Sequence, residues 1–315
     1  MTNRVSFAPL EGITTHIYRN AHREMFGGCD EYYAPFVSPS DNEKIGRKGL
    51  CDILPENNPN IPLRVQVLTN NSVSFLKFAD KIKEYGYSEI NLNLGCPSGT
   101  VTGKGRGAGF LRDTERLDRF FSDVFENANI KITVKTRIGF LSEGEMENLM
   151  KIYNKYPVAE LIIHPRTREE FYKGTLHMDA FKKAYETSKS PVAYNGNIFK
   201  REDFERITKE YLNLSSVMIG RGAIQNPAIF REIKGGKRLS TQELLLFSKK
   251  LEKCYEEKLD SNVFTLHKLK EVWLYMMENF PEETKILKAI KKATHTKDII
   301  SATEMLPEIS DSKKV

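Results

Sequence analysis

Eight short apolar or alternating runs recur between residue 4 and about residue 220, separated by helix-like stretches, and nothing else in the chain constrains its fold as strongly. The runs are RVSFAPL (4–10), EYYAPF (31–36), PLRVQVL (62–68), EINLNLG (89–95), KITVKTRIG (131–139), AELIIHP (159–165), PVAYNG (191–196) and SSVMIGRG (215–222). Segments 72–86, 113–128 and 199–211 carry helical spacing between them. Strands alternating with helices of this length are βαβ units on a parallel sheet. Eight of them in this span fit an α/β architecture closed as a (β/α)8 TIM barrel better than an open doubly wound sheet.

GGKRL (235–239) breaks the alternation, and the remainder reads as helix: 241–259, 263–280, 282–296 and a shorter last piece. Helices joined by short turns suggest a small C-terminal helical bundle on the barrel. The expected organisation is a catalytic barrel over 1–234 and a helical domain over 240–310, followed by a short Lys-bearing tail.

With 40% hydrophobic and 29% charged residues in 315, the composition is that of an ordinary globular enzyme. No apolar run is long enough to span a bilayer, and MTNRVSFAPL lacks the features of a signal peptide. A cytoplasmic protein is therefore expected. Cys29, Cys51, Cys96 and Cys254 lie far apart with no CxxC pair, which argues for free thiols and no metal site. The net charge of +6 suits a polyanionic partner without requiring one.

In barrels of this kind chemistry gathers at the C-terminal ends of the strands. Polar residues stand at seven of those ends. Pro9, Leu10 and Glu11 follow the first run, Gln66 lies in the third, and Asn93 and Cys96 close the fourth. Lys135 and Arg137 end the fifth, His164 and Arg166 the sixth, Asn195, Gly196 and Asn197 the seventh, and Gly220, Arg221 and Gly222 the eighth. Each has an ordinary explanation alone: a satisfied buried His, a solvated edge, a tight glycine turn, or a Cys filling apolar space. Together they suit chemistry better, because a structural strand end needs only a turn. The glycines after the last two strands let backbone N–H groups approach a phosphate, and Arg221 adds charge. Gln66, Lys135 and Asn195 suit a flat heteroaromatic ring presenting carbonyls and ring nitrogens, which points to FMN. Behind Cys96, the stretch CPSGTVTGKGRGAG (96–109) reads as a flexible loop carrying Lys104 and Arg106.

The chain resembles the tRNA-dihydrouridine synthases. The resemblance is carried by APLEGIT (8–14), VQVL (65–68), NLNLGCPS (91–98), VKTRIG (134–139), IIHPRT (162–167), AYNGNI (193–198) and VMIGRGAIQNP (217–227). It implies FMN as cofactor, NADPH as electron donor and tRNA as partner, with ribosomal RNA as the alternative; a monomer with no membrane attachment is expected besides. Pro9, Leu10, Glu11, Gln66 and His164 correspond to flavin contacts, and Lys135 to the lysine beside the flavin pyrimidine edge. Asn195, Gly196, Asn197, Gly220 and Arg221 correspond to the phosphate cradle. Asn93, Arg137 and Tyr172 correspond to residues that hold the target uracil, and Arg166 is grouped with them. Leu10 replaces the usual Met, Asn197 stands where Asp or Glu is commoner, and Glu170 stands where many relatives have Gln.

The chemistry so implied passes hydride from NADPH through FMN to uracil C6, with Cys96 as the general acid that protonates C5. A thiol with an ordinary pKa of about 8.5 is mostly protonated at neutral pH; a nucleophilic Cys would want a base beside it. Uracil inside folded RNA must be extruded to react, and Lys104 and Arg106 suit the backbone around it. Lys285, Lys288 and Lys292 share one helix face. With Lys291, Lys268 and Lys270 nearby, they suit a phosphate-contacting surface. Two rival readings are a flavin-barrel dehydrogenase of free pyrimidines, revived by activity on free uracil, and a flavin-bearing RNA-binding protein without turnover.

Overall fold

The computed structural model describes residues 4–39, 46–259 and 261–309. The Lys-bearing tail lies outside them, as do the outermost residues of both expected domain ranges. Eight parallel strands close a barrel in sequence order: β1 (Arg4–Phe7), β2 (Glu31–Tyr33), β3 (Leu63–Val67), β4 (Glu89–Leu94), β5 (Lys131–Gly139), β6 (Leu161–Thr167), β7 (Val192–Tyr194) and β8 (Ser216–Ile219). Closure comes from β1 pairing with β8, with Val5 opposite Val217. The strands stop short of the apolar runs that announce them where proline intervenes. Pro9 and Pro35 carry no N–H to continue a ladder.

The alternation in β4 sorts its side chains as the sequence predicts. Ile90, Leu92 and Leu94 are buried in the apolar layer beneath the outer helices. Asn91 and Asn93 point into the barrel, where they join a polar chain: Gln66 Nε2 donates to Asn91 Oδ1 (2.7 Å), Asn91 Nδ2 to Thr133 Oγ1 (2.9 Å), and Asn93 Nδ2 to Gln66 Oε1 (2.7 Å). Ala8, Tyr33, Ile162, Ala193 and Met218 fill the rest of the interior. Buried amides left unpaired would be costly, and here they satisfy one another. At the opposite, N-terminal end, Arg4 bridges Glu31 (3.1 Å) and Glu160 (2.6 Å), while Arg64 bridges Glu31 (2.5 Å) and Glu89 (3.3 Å). That network ties strand starts together and lies at the stability face of such barrels.

The outer helices start where short polar side chains cap them. Asn71 Oδ1 accepts from Ser74 N (2.8 Å) ahead of Ser72–Glu84, and Asp113 Oδ1 from Arg116 N (3.0 Å) ahead of Thr114–Asn127. Beyond the barrel, Ser240 and Glu243 form a capping box that opens Thr241–Lys258. Asn262–Met276, Thr284–Lys292 and Thr296–Thr303 follow. The expected 263–280 helix tightens to a 3-10 turn at Met277–Asn279. The expected 282–296 helix ends at Lys292, because His295 N is captured by Asp298 (2.9 Å) to begin the next one.

These helices share a continuous apolar core with the barrel. Phe247 meets Tyr18 and Phe26 edge-on at 5.4 and 5.1 Å, and the Asn279 amide donates to Gln225 O (2.7 Å). Lys268 and Lys270 were expected to extend a basic surface; Lys268 is drawn into this joint, and Lys270 is tied to a neighbouring helix. Lys268 Nζ donates to Gly12 O (2.6 Å) and pairs with Glu271 (2.9 Å); Lys270 Nζ donates to Lys291 O (3.1 Å). Among the described residues no helix is long and apolar enough to cross a membrane.

Candidate active site

A pocket opens at the C-terminal ends of the strands, and most of the residues singled out from the sequence line it. Pro9 and Leu10 come from the turn after β1, Lys135 and Arg137 from β5, and His164 from β6. Asn195, Gly196 and Asn197 follow β7, Gly220 and Arg221 follow β8, and Tyr172 reaches in from the segment after β6. Ala8 and Gly95 complete the wall. Gln66 and Asn93 lie within the barrel interior, with their amides committed to the polar chain there.

Asn93 does more than fill space. Its Oδ1 accepts from Gly95 N (3.0 Å) and Cys96 N (2.9 Å), so this one side chain fixes the turn that carries the thiol. Behind it, the stretch expected as a flexible loop is a helical turn at Gly99–Thr102 followed by a 3-10 segment at Gly107–Arg112. Its glycines serve close approach. A Cβ on Gly107, whose φ is +56°, would lie 2.9 Å from Cys96 O, and one on Gly109 would lie 2.5 Å from Thr102 O. Ala108 N donates to Cys96 O (3.0 Å), so the segment folds back beneath the thiol. Lys104 is exposed on its outer turn and Arg106 is half-buried.

The electrostatics of the pocket are set by clustered cations in a low-dielectric wall. Burial, then repulsion from Arg137, lowers the Lys135 amine to about 7. Burial lowers Arg137 to about 10, which leaves it charged at neutrality. His164 is held well below its ordinary value by burial and by Arg137, Lys135, Arg166 and Arg221, so its ring is neutral. Arg166 Nη1 lies 3.3 Å from His164 Nε2. A guanidinium only donates, so Nε2 accepts and the ring proton sits on Nδ1. The Cys96 thiol is pushed above its ordinary value, chiefly by burial and further by Glu11, against the pull of Arg137 and Lys135. The thiol therefore keeps its proton at neutral pH, the state an acid needs and a nucleophile does not.

Arg166 is fully engaged. Its guanidinium donates to Lys173 O (3.0 Å), Gly174 O (2.9 Å) and Asn197 Oδ1 (3.2 Å) besides facing His164. It anchors the segment bearing Tyr172, whose ring lies 5.4 Å from the Arg137 guanidinium and 5.2 Å from that of Arg221. Asn197 Oδ1 also accepts from Arg221 Nη2 (3.2 Å). A neutral amide bridging two guanidiniums orders them without cancelling their charge, which favours an anion. Gly222 makes the cradle possible: a Cβ there would sit 1.9 Å from Ile198 O, so the turns after β7 and β8 touch backbone to backbone.

Two further residues shape this rim: Glu170, which the sequence marked only as a departure from the relatives' Gln, and Arg168, which it did not single out. Glu170 accepts from Thr167 N (2.7 Å), Thr167 Oγ1 (3.0 Å) and His177 Nε2 (2.8 Å), and so pins both ends of the Tyr172 segment. Arg168 Nε donates to Pro97 O (3.1 Å), joining that segment to the Cys96 turn. The repeated arginines of RTREEFY (166–172) were the available signal.

Residues 6–310 match the family model described as dihydrouridine synthase. A protein named tRNA-dihydrouridine(16) synthase from Neisseria meningitidis serogroup A is 27% identical and spans 96% of this chain and 95% of its own length. A like-named protein from Pseudomonas putida is 27% identical over 92% of this chain and 93% of its own, and one from Escherichia coli K12 is 27% identical over 96% and 98%. Among solved structures, morphinone reductase superposes with a TM-score of 0.52 at 11% identity, over 75% of this chain and 87% of that one. At that identity the likeness concerns the barrel alone.

Proposed function

The chain belongs to the dihydrouridine synthase family, and on that premise we propose that it reduces specific uridines of tRNA to 5,6-dihydrouridine, with FMN as resident cofactor and NADPH as electron donor. The observation that carries this reading is a protonated thiol set beside a cationic, glycine-walled pocket at the strand ends. The donor set fits FMN: Asn195, Asn197, Gly220 and Arg221 form an anion cradle, while Lys135 and His164 present donors to a ring. Bound there, FMN supplies the hydride that uracil C6 receives.

The chain's own residues supply the rest. Lys135, an amine lowered to about 7, takes up a proton readily once an anion is near, and so answers negative charge on the ring as a cation. Arg137 and Tyr172 orient the uracil. Cys96 donates its proton to C5, and Arg137 and Lys135 stabilise the thiolate until solvent restores the proton. Arg166 and Glu170 act by positioning, through the segment that holds Tyr172. The barrel over 1–234 is the catalytic domain and the helices of 240–310 the RNA-binding domain of a cytoplasmic monomer.

Mapping dihydrouridine in RNA from cells with and without this gene tests the proposal. Loss of the base from tRNA is expected, and the relatives' names make position 16 the first to read. Loss confined to ribosomal RNA, or turnover of free uracil instead, would overturn the substrate assignment. Chromophore released by denaturation is expected to run as FMN, and recovery of FAD would overturn the cradle assignment.

Lys285, Lys288 and Lys292 are all exposed on the helix Thr284–Lys292, and we assign them to tRNA phosphates. Reversing all three charges is expected to weaken tRNA binding and to flatten the plot of log affinity against log salt by up to about three units, near one per contact. Flavin content is expected to stay the same. An unchanged slope would mean that this face only meets solvent and that the RNA is held elsewhere, by Lys104, Arg106 and the barrel rim.

A further inference from the structure

Beside the pocket four side chains from three segments stack into a column, Arg168 and Phe171 sharing one of them. The Arg112 guanidinium lies 4.6 Å from the Phe140 ring centre; Arg168 lies 5.3 Å from that same ring and 5.1 Å from the Phe171 ring. Arg168 is fixed in place by Pro97 O (3.1 Å), Thr102 Oγ1 (3.3 Å) and Glu169 (2.7 Å), so the column is tied to the turn that carries Cys96. Phe140, inside the column, is buried; Phe171, at its outer end, is 41% exposed. The Phe171 backbone has φ +51°. Residues other than glycine rarely adopt that conformation, and it persists only where the surroundings impose it.

A large apolar ring held in a strained, half-exposed position contributes little to the core. Its place beside Tyr172 and among cations suits a different partner. Extruding a uridine leaves its neighbours without their stack. An aromatic face recovers that stacking for any base, and a guanidinium behind the ring adds to its rigidity and attraction. We propose that Phe171 is the stacking platform for a nucleobase adjacent to the extruded uridine, held at the barrel mouth by Arg168 and the Phe140–Arg112 column behind it. The inference rests on the reading of this chain as an RNA reductase.

The test uses the flavin-loaded protein and a tRNA transcript. Phe171→Gly removes the ring while suiting the positive φ, so the segment keeps its path. It is expected to raise KM for tRNA roughly 10-fold, with much less change in kcat and no loss of bound flavin. Phe171→Trp is expected to retain the wild-type KM, and its emission is expected to be quenched as transcript is added; the chain's one native tryptophan, Trp273, is fully buried. A wild-type KM in Phe171→Gly, a Phe171→Leu variant equal to wild type, or tryptophan emission unmoved by saturating transcript would overturn the stacking role. Wild-type protein that forms no dihydrouridine would overturn the proposed function instead, and the quenching titration would still decide the stacking.

Discussion

Cys96→Ala is expected to lose dihydrouridine formation by roughly 10²–10⁴-fold, the usual worth of a positioned general acid, while FMN binding and NADPH oxidation persist. The fold presents the thiol beside the pocket on a turn fixed by Asn93 from one side and by Ala108 N from the other. Alanine preserves both backbone hydrogen bonds, so the loss isolates the proton. Because burial raises the thiol pKa, the acid form is present at neutral pH, and turnover is expected to fall as pH rises through that raised value. Cys29, Cys51 and Cys254 do not line the pocket at the C-terminal strand ends, and alanine at each is expected to leave turnover in place. Quantifying dihydrouridine in a transcript after single-turnover reduction separates these cases. A Cys96→Ala rate within a few-fold of wild type would remove the thiol from the chemistry.

Lys135→Met is expected to slow uridine reduction by about 10²-fold or more, the scale of one preorganised electrostatic donor in a water-poor site. The variant keeps the length of the side chain and loses its charge, and tRNA affinity is expected to change little. A second readout needs no turnover. The amine sits at about 7 in the folded protein against an ordinary 10.5. Between those values the unfolded chain binds the proton that the folded chain has released. Stability at this group therefore increases from about pH 7 to about pH 10.5 in cofactor-free protein. Lys135→Met is expected to remove that rise and to be the more stable protein at neutral pH. Denaturant titrations across the window measure it, and parallel curves for the two proteins would show that the amine is not depressed.

The local terms of the fold were legible along the chain. Period-two alternation announced β4 and told its inward face from its outward one, because side-chain direction in a strand depends only on neighbouring residues. Helical spacing likewise announced 72–86, 113–128 and 241–259, and the structure adds the caps at Asn71, Asp113 and Ser240 that open them. The polar strand ends announced the pocket, since a closed parallel barrel gathers all its strand ends at one rim and so needs no knowledge of loop paths.

Partners remote in sequence were legible only in three dimensions. Gln66 and Asn93 looked alike as pocket residues, yet barrel closure turned both amides toward each other. The glycines after Cys96 looked like freedom; the fold uses them for contact, because only the path of 99–109 brings Gly107 against Cys96 O and Gly109 against Thr102 O. Arg166 looked like a ligand-facing cation until the β6 register set it under Gly174 and Asn197. Residue type and spacing thus determined which groups this protein has and at which end of the barrel they stand. How each donor and acceptor is spent was decided by chain closure, because a hydrogen bond depends on distances of a few tenths of an ångström between segments that no local pattern relates.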